Sequence, residues 1–154
     1  MSTVRKYYLL LVGPCVALLA YAGLYLQLRE HLPQALARHL GPDGIGYTST
    51  LVVVGSAAGI AVLAFGIGAW TCLDFTSLGH WYTGNKSIVV CSLAAGYGVL
   101  GLGVGTMASA NAGQAPADGA STIGWGLLAL LIGFSLTAVV LSRVLPAAQR
   151  ESLS

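Results

Sequence analysis

Charged side chains are scarce in this sequence: Asp, Glu, Lys and Arg make up 8% of its 154 residues, five acidic and seven basic. An ordinary soluble domain carries roughly a quarter. A chain this poor in charge cannot cover a surface that faces water. Its 56% hydrophobic composition and mean hydropathy of +0.79 point to lipid as the solvent. The formal net charge of +2 comes with no run of Lys or Arg interleaved with aromatics, which excludes a nucleic-acid partner. The three cysteines, Cys15, Cys72 and Cys91, stand in or beside apolar stretches without Cys-x-x-Cys spacing. They read as small packing residues and not as a disulfide or zinc set.

Catalytic patterns are missing too. There is no His-Glu-x-x-His and no Gly-x-Ser-x-Gly. The acids Glu30, Asp43, Asp74, Asp118 and Glu151 all lie outside the long apolar runs, whereas pumps and transporters place ionisable groups near the bilayer midplane. The reading is therefore of a protein that is no enzyme, needs no cofactor and drives no active transport alone.

Four apolar runs are present, at about 7–28, 51–73, 88–110 and 123–145. The first three hold no charged residue or His, and the fourth holds only Arg143, close to its end. Each is long enough to cross about 30 Å of hydrocarbon as a helix rising about 1.5 Å per residue. The runs are continuous, without the alternation of a membrane β-barrel. The expected fold class is all-α, an integral membrane four-helix bundle forming one membrane domain over 1–154, with the lipid bilayer as its first partner.

Orientation follows from the basic residues that flank the runs. Arg5, Lys6, Lys86, Arg143 and Arg150 collect on one side, and only Arg29 and Arg38 on the other. The positive-inside rule then puts both termini and the 74–87 loop in the cytoplasm of a multi-pass cell-membrane protein, with the 29–50 and 111–122 loops outward. Tyr7, Tyr8, Trp70, Trp81 and Tyr82 fall at the inner interface, and Tyr47 and Trp125 at the outer one, as an aromatic belt requires. Arg5 and Lys6 before an apolar stretch, with the small-x-small triplet Ala20-Tyr21-Ala22, have the form of a signal peptide. The apolar run nevertheless continues through Gly23-Leu24-Tyr25-Leu26, which favours a retained span. Pro14 is expected to bend it.

Helix packing is written in glycine. Gly55 and Gly59 are four apart in the second run, and Gly101 and Gly105 in the third, which also carries Gly96, Gly98 and Gly103. Small-x-x-x-small spacing lets helix backbones approach closely where lipid supplies no hydrophobic drive. Thr71, Ser92, Thr106, Ser135 and Thr137 are expected to hydrogen-bond between helices.

Two familiar-looking strings fail on physical grounds. Gly96-Tyr97-Gly98-Val99-Leu100-Gly101 has the letters of the dinucleotide-binding pattern, but it lies inside an apolar run whose amides are already bonded. Residues 79–87 approximate a phosphate-binding loop, yet Asn85 separates Gly84 from Lys86-Ser87. A cytoplasmic turn is expected there instead, with Gly84-Asn85 as the bend and Ser87 capping the third helix.

The outward 29–50 loop is the most unusual polar stretch. Pro33 is placed to start a short helix, which Gly41-Pro42-Asp43-Gly44 would end. His31, His39 and Asp43 have ligand chemistry, but eight residues separate the two histidines, too far for one ion without a fold-back. They read as solvated polar residues, and no metal is expected.

The spacing Leu32-Pro33-x5-His39-x4-Gly44, directly after the first run, resembles a bacterial membrane domain of unknown function. That domain opens the SdpI-type toxin-immunity membrane proteins and recurs in small four-helix relatives. The family pattern continues into an Asp-Gly element, whereas Ile45-Gly46-Tyr47-Thr48-Ser49 follows Gly44 here. The resemblance implies a membrane protein of the bacterial envelope that protects against a membrane-active peptide, with His39 and its loop as the recognition element. Two functional readings stand beside each other: outward recognition or protection through Leu32, Pro33, His39 and Gly44, with a peptide ligand; or a small accessory subunit packed in a larger membrane protein complex through its glycine faces. A metal-dependent activity on His31, His39 and Asp43 ranks below both.

Overall fold

The computed structural model describes residues 3–112 and 119–149. Arg150, Glu151 and residues 113–118 of the 111–122 loop, Asp118 among them, lie outside the described residues, as do the side chains of Arg5, Lys6, Tyr7, Tyr8 and Arg38. In chain order the elements are α1 (Thr3–Leu28), β1 (Ala35–Gly41), β2 (Gly44–Ser49), α2 (Thr50–Ser77), α3 (Thr83–Asn111) and α4 (Gly119–Val144). The protein is an all-α bundle of four helices with one small hairpin. Within hydrocarbon every backbone amide must be bonded internally, and a helix achieves this within one segment.

Among the described residues, three helices are long and apolar enough to cross a membrane: α2, α3 and the Ser121–Val144 stretch of α4. The apolar part described in α1, Val12–Leu28, is shorter, and α1 continues through Pro14. Burial separates the roles of the helices. The apolar stretch of α3 is 44% buried inside the protein and that of α4 only 6%, so α3 is the central helix and α4 turns most of its surface outward. Leu127, Leu131, Leu136 and Val139 of α4 are all exposed. In water such a patch would far exceed the few hundred Å² that soluble monomers tolerate. The protein is a membrane protein.

Glycines let α3 serve three neighbours. An added Cβ at Gly101 would sit 2.6 Å from the Ala129 carbonyl oxygen of α4, and one at Gly105 would sit 2.7 Å from that of Trp125. Gly126 and Gly133 of α4 return the close approach against Thr106 and Tyr97. On other flanks of α3, Gly96 accommodates the Phe65 ring of α2, and Gly103 the Tyr21 hydroxyl of α1. Phe65 also meets Tyr97 edge-to-face at 4.9 Å between centroids, and Val89, Leu93 and Met107 complete the core. Gly55 and Gly59 differ: among the described residues, nothing beyond their own helix turn lies within 4 Å of a Cβ at either, so this pair faces open space.

The hydroxyls also depart from expectation. Thr71 and Thr106 donate to carbonyls of their own helices, Ile67 and Leu102, at 2.8 Å each. A bond between helices comes instead from the Tyr21 hydroxyl to the Val54 carbonyl, at 3.3 Å. A Thr in a helix reaches the preceding turn more easily than a neighbouring helix.

At one end of the bundle, the chain leaving α4 is latched to the α2–α3 connection. Trp81 Nε1 donates to the Pro146 carbonyl at 3.1 Å, and the Gln149 amide donates to the Trp81 carbonyl at 2.9 Å. The expected bend at Gly84-Asn85 is displaced: both residues lie in the first turn of α3, and Gly79 takes the left-handed conformation, with φ of 71°. Ser87 likewise does not cap α3, since its hydroxyl donates to Thr83 within the helix at 2.9 Å. Lys86 caps a different helix. Its ammonium donates to the Ser142 and Leu145 carbonyls, at 2.9 and 3.3 Å, where the negative end of the α4 dipole favours a cation.

Candidate functional site

The opposite end carries the hairpin. The short helix expected after Pro33 does not form: Ala35–Gly41 and Gly44–Ser49 pair as antiparallel strands. The Pro42-Asp43 turn explains why. Pro42 fixes φ at the first turn position, and Gly44 adopts φ of 105°, a conformation open to glycine. Burial reinforces the strand. Leu36 and Ala37, at 2% and 8% exposure, lie where β1 meets α4 and α2. A bulge between Ala37 and His39 then resets the pairing, so that His39 falls opposite Gly46.

The base of the hairpin is fixed to α2. The Thr50 amide donates to the Gln34 carbonyl at 3.0 Å, and its hydroxyl donates to the Pro33 carbonyl. Leu32 is half-buried against the core. The four residues of the expected recognition loop are thus spread along one ribbon, Leu32 and Pro33 at its foot, His39 in its outer half and Gly44 at its tip. His39 is exposed. Its ring lies across Gly46, where an added Cβ would fall 2.1 Å from Cε1. Gly46 lies outside the Leu32-Pro33-x5-His39-x4-Gly44 spacing, although a glycine within a Gly-Ile-Gly-Tyr-Thr strand is itself a sign of close approach. His31 and Asp43 are exposed, His31 in the turn after α1 and Asp43 at the hairpin tip. Among the described residues no three His, Cys, Asp or Glu side chains converge as a metal site would require.

Beneath the hairpin is a cavity of about 510 Å³. Ala37 and Thr48 roof it, Val53 and Ser56 of α2 wall one side, Gly126 of α4 the other, and Thr106 lies on its α3 floor. The Ser56 and Thr106 hydroxyls are already engaged with carbonyls of their own helices, at 3.0 and 2.8 Å. What the cavity offers is therefore apolar volume below a ribbon that exposes His39 and Tyr47. That arrangement suits an amphipathic ligand entering from the interface, and it presents neither a nucleophile nor a general acid–base pair. Comparison with protein-family models, with curated proteins and with solved structures gives no match to this chain.

Proposed function

We propose that the protein is a non-catalytic integral membrane protein of the bacterial envelope, crossing the cell membrane four times, whose hairpin recognises a membrane-active peptide in the manner of SdpI-type immunity or sensor proteins. The observation that carries this reading is the anchored hairpin roofing an apolar cavity. An amphipathic peptide at the interface has a polar face for His39 and the strand edge, and apolar side chains for the volume below. In this reading both termini lie in the cytoplasm and the hairpin faces outward.

The test is survival of bacteria expressing the chain, challenged with a panel of membrane-active antibacterial peptides. Protection against at least one peptide, lost in His39→Ala at equal protein level, is the expected result. No protection against any peptide, or protection indifferent to His39→Ala, would refute the proposal.

A second reading, an accessory subunit in a membrane complex, draws on the opposite flank of the α3–α4 seam. A shallow groove of about 380 Å³ there sets Gly105, Ala108 and Ala112 against Trp125 and Ile132. Small residues facing large ones suit a neighbouring helix. Gentle solubilisation followed by mass measurement tests it, and a lone monomer would refute it.

A further inference from the structure

A separate cavity of about 460 Å³ lies between the end of α1 and the start of α2, lined in part by Tyr25, Arg29, Gln34, Ser49, Thr50 and Leu51. Arg29 is the charged residue of this lining; its side chain is exposed at the cavity mouth, and among the described residues no carboxylate pairs with it. Arg29 follows directly on the last turn of α1, its backbone amide donating to the Tyr25 carbonyl at 2.8 Å. This is the depth at which an apolar helix passes into headgroups. Ser49, the residue before α2, makes no side-chain cap, so the positive end of that helix adds to the field of Arg29.

The second half of the site is on α2. Leu51 lines the cavity, and Gly55 and Gly59 follow at four-residue intervals on the same helical face. Both glycines meet open space. A smooth track about 12 Å long thus descends from the cationic cavity into the apolar layer. A cation above a bare apolar track matches the two ends of one molecule.

We propose that this cavity and track hold an anionic phospholipid, its phosphate on Arg29 and one acyl chain along Gly55 and Gly59. The cavity is also lined by Leu32 and Pro33 at the foot of the hairpin, but its cation and glycine track do not use His39, so lipid binding and peptide recognition are tested separately.

Native mass spectrometry of the detergent-solubilised full chain tests this, with phosphatidylglycerol, phosphatidylcholine and inorganic phosphate as probes. The expected result is one phosphatidylglycerol retained at least five-fold more tightly than phosphatidylcholine and not displaced by inorganic phosphate. Arg29→Gln lowers that retention about ten-fold, Arg29→Lys keeps most of it, and Arg143→Gln, at the other end of the bundle, leaves it unchanged. Gly55→Leu weakens retention with Arg29 intact, and circular dichroism verifies equal helix content in each variant. Equal binding of the two lipids, indifference to Arg29→Gln, equal loss with Arg143→Gln, or displacement by inorganic phosphate would each overturn the proposal.

Discussion

Gly55 and Gly101 stand in the same sequence motif, a glycine four residues before another, yet replacing each with Ala is expected to have opposite effects. At Gly101 the new Cβ lies 2.6 Å from the Ala129 carbonyl oxygen. Carbon–oxygen contacts of this kind settle near 3.3–3.6 Å, so the α3–α4 seam must open by roughly 0.7–1 Å. The obstructing atom is backbone and cannot swing aside, and overpacking of this order costs about 1–3 kcal/mol. At Gly55 no atom lies within 4 Å, and Ala there gains up to about 1 kcal/mol from reduced backbone freedom in the unfolded chain. The two variants should therefore differ by about 1–4 kcal/mol. For a chain of this size that is a separation of roughly 2–16 °C in melting temperature. Thermal unfolding of both proteins in the same mild detergent, followed by intrinsic Trp fluorescence, measures it. Equal melting temperatures, or a Gly101→Ala protein at least as stable as Gly55→Ala, would refute the assignment of Gly101 to a tight seam and Gly55 to an open face.

The Thr122 hydroxyl is buried at 2% exposure and, among the described residues, has no hydrogen-bond partner; Thr122→Val removes the unpaired group at constant shape and should stabilise the bundle by about 1 kcal/mol in the same melting assay. Lys86→Met deletes the ammonium that caps the last carbonyls of α4, and should cost about 1 kcal/mol and speed limited proteolysis near residues 145–149. Gly46→Ala forces the His39 ring off its strand partner. Its cost of about 1 kcal/mol should disappear in a His39→Ala background, a coupling that a double-mutant cycle on hairpin stability reads directly.

The helical architecture was legible because one physical demand dominates it. Long stretches without charge must bond their own amides in lipid, and only the helix does so within a continuous run. Which faces meet is decided elsewhere. Gly55-x-x-x-Gly59 and Gly101-x-x-x-Gly105 are equivalent as text, but α3 sits centrally between neighbours while this face of α2 turns outward. A spacing rule states what a helix surface can accept and not what the topology brings to it. The hairpin was hidden for a related reason. Ala35-Leu36-Ala37-Arg38 is rich in good helix formers, and local propensity favours a helix after Pro33. The structure instead gains from burying Leu36 and from a turn that needs Gly44 at positive φ, tertiary terms larger than a few tenths of a kcal/mol per residue in propensity. The alternating Ile45, Tyr47 and neighbouring Thr48 were the strand signal within reach.

The cavity beneath the hairpin had no signature at all, yet it follows from the glycine pattern once the neighbours of α3 are known. Gly98, Gly101 and Gly105 bring α4 in on one flank, and Gly96 seats Phe65 of α2 on another. Between these flanks α3 presents Val99, Leu102 and Thr106, all of which line the cavity. Their spacing of three and four residues keeps them on one face, and these larger side chains hold α2 and α4 apart there. The opening sits at the end of the bundle where Ala37 and Thr48 close over it. The same alternation of glycine with bulkier residues that locks α3 to its neighbours therefore keeps one seam open, directly below the exposed ribbon that carries His39. In the proposed recognition, where α3 lacks glycine therefore matters as much as what the hairpin displays.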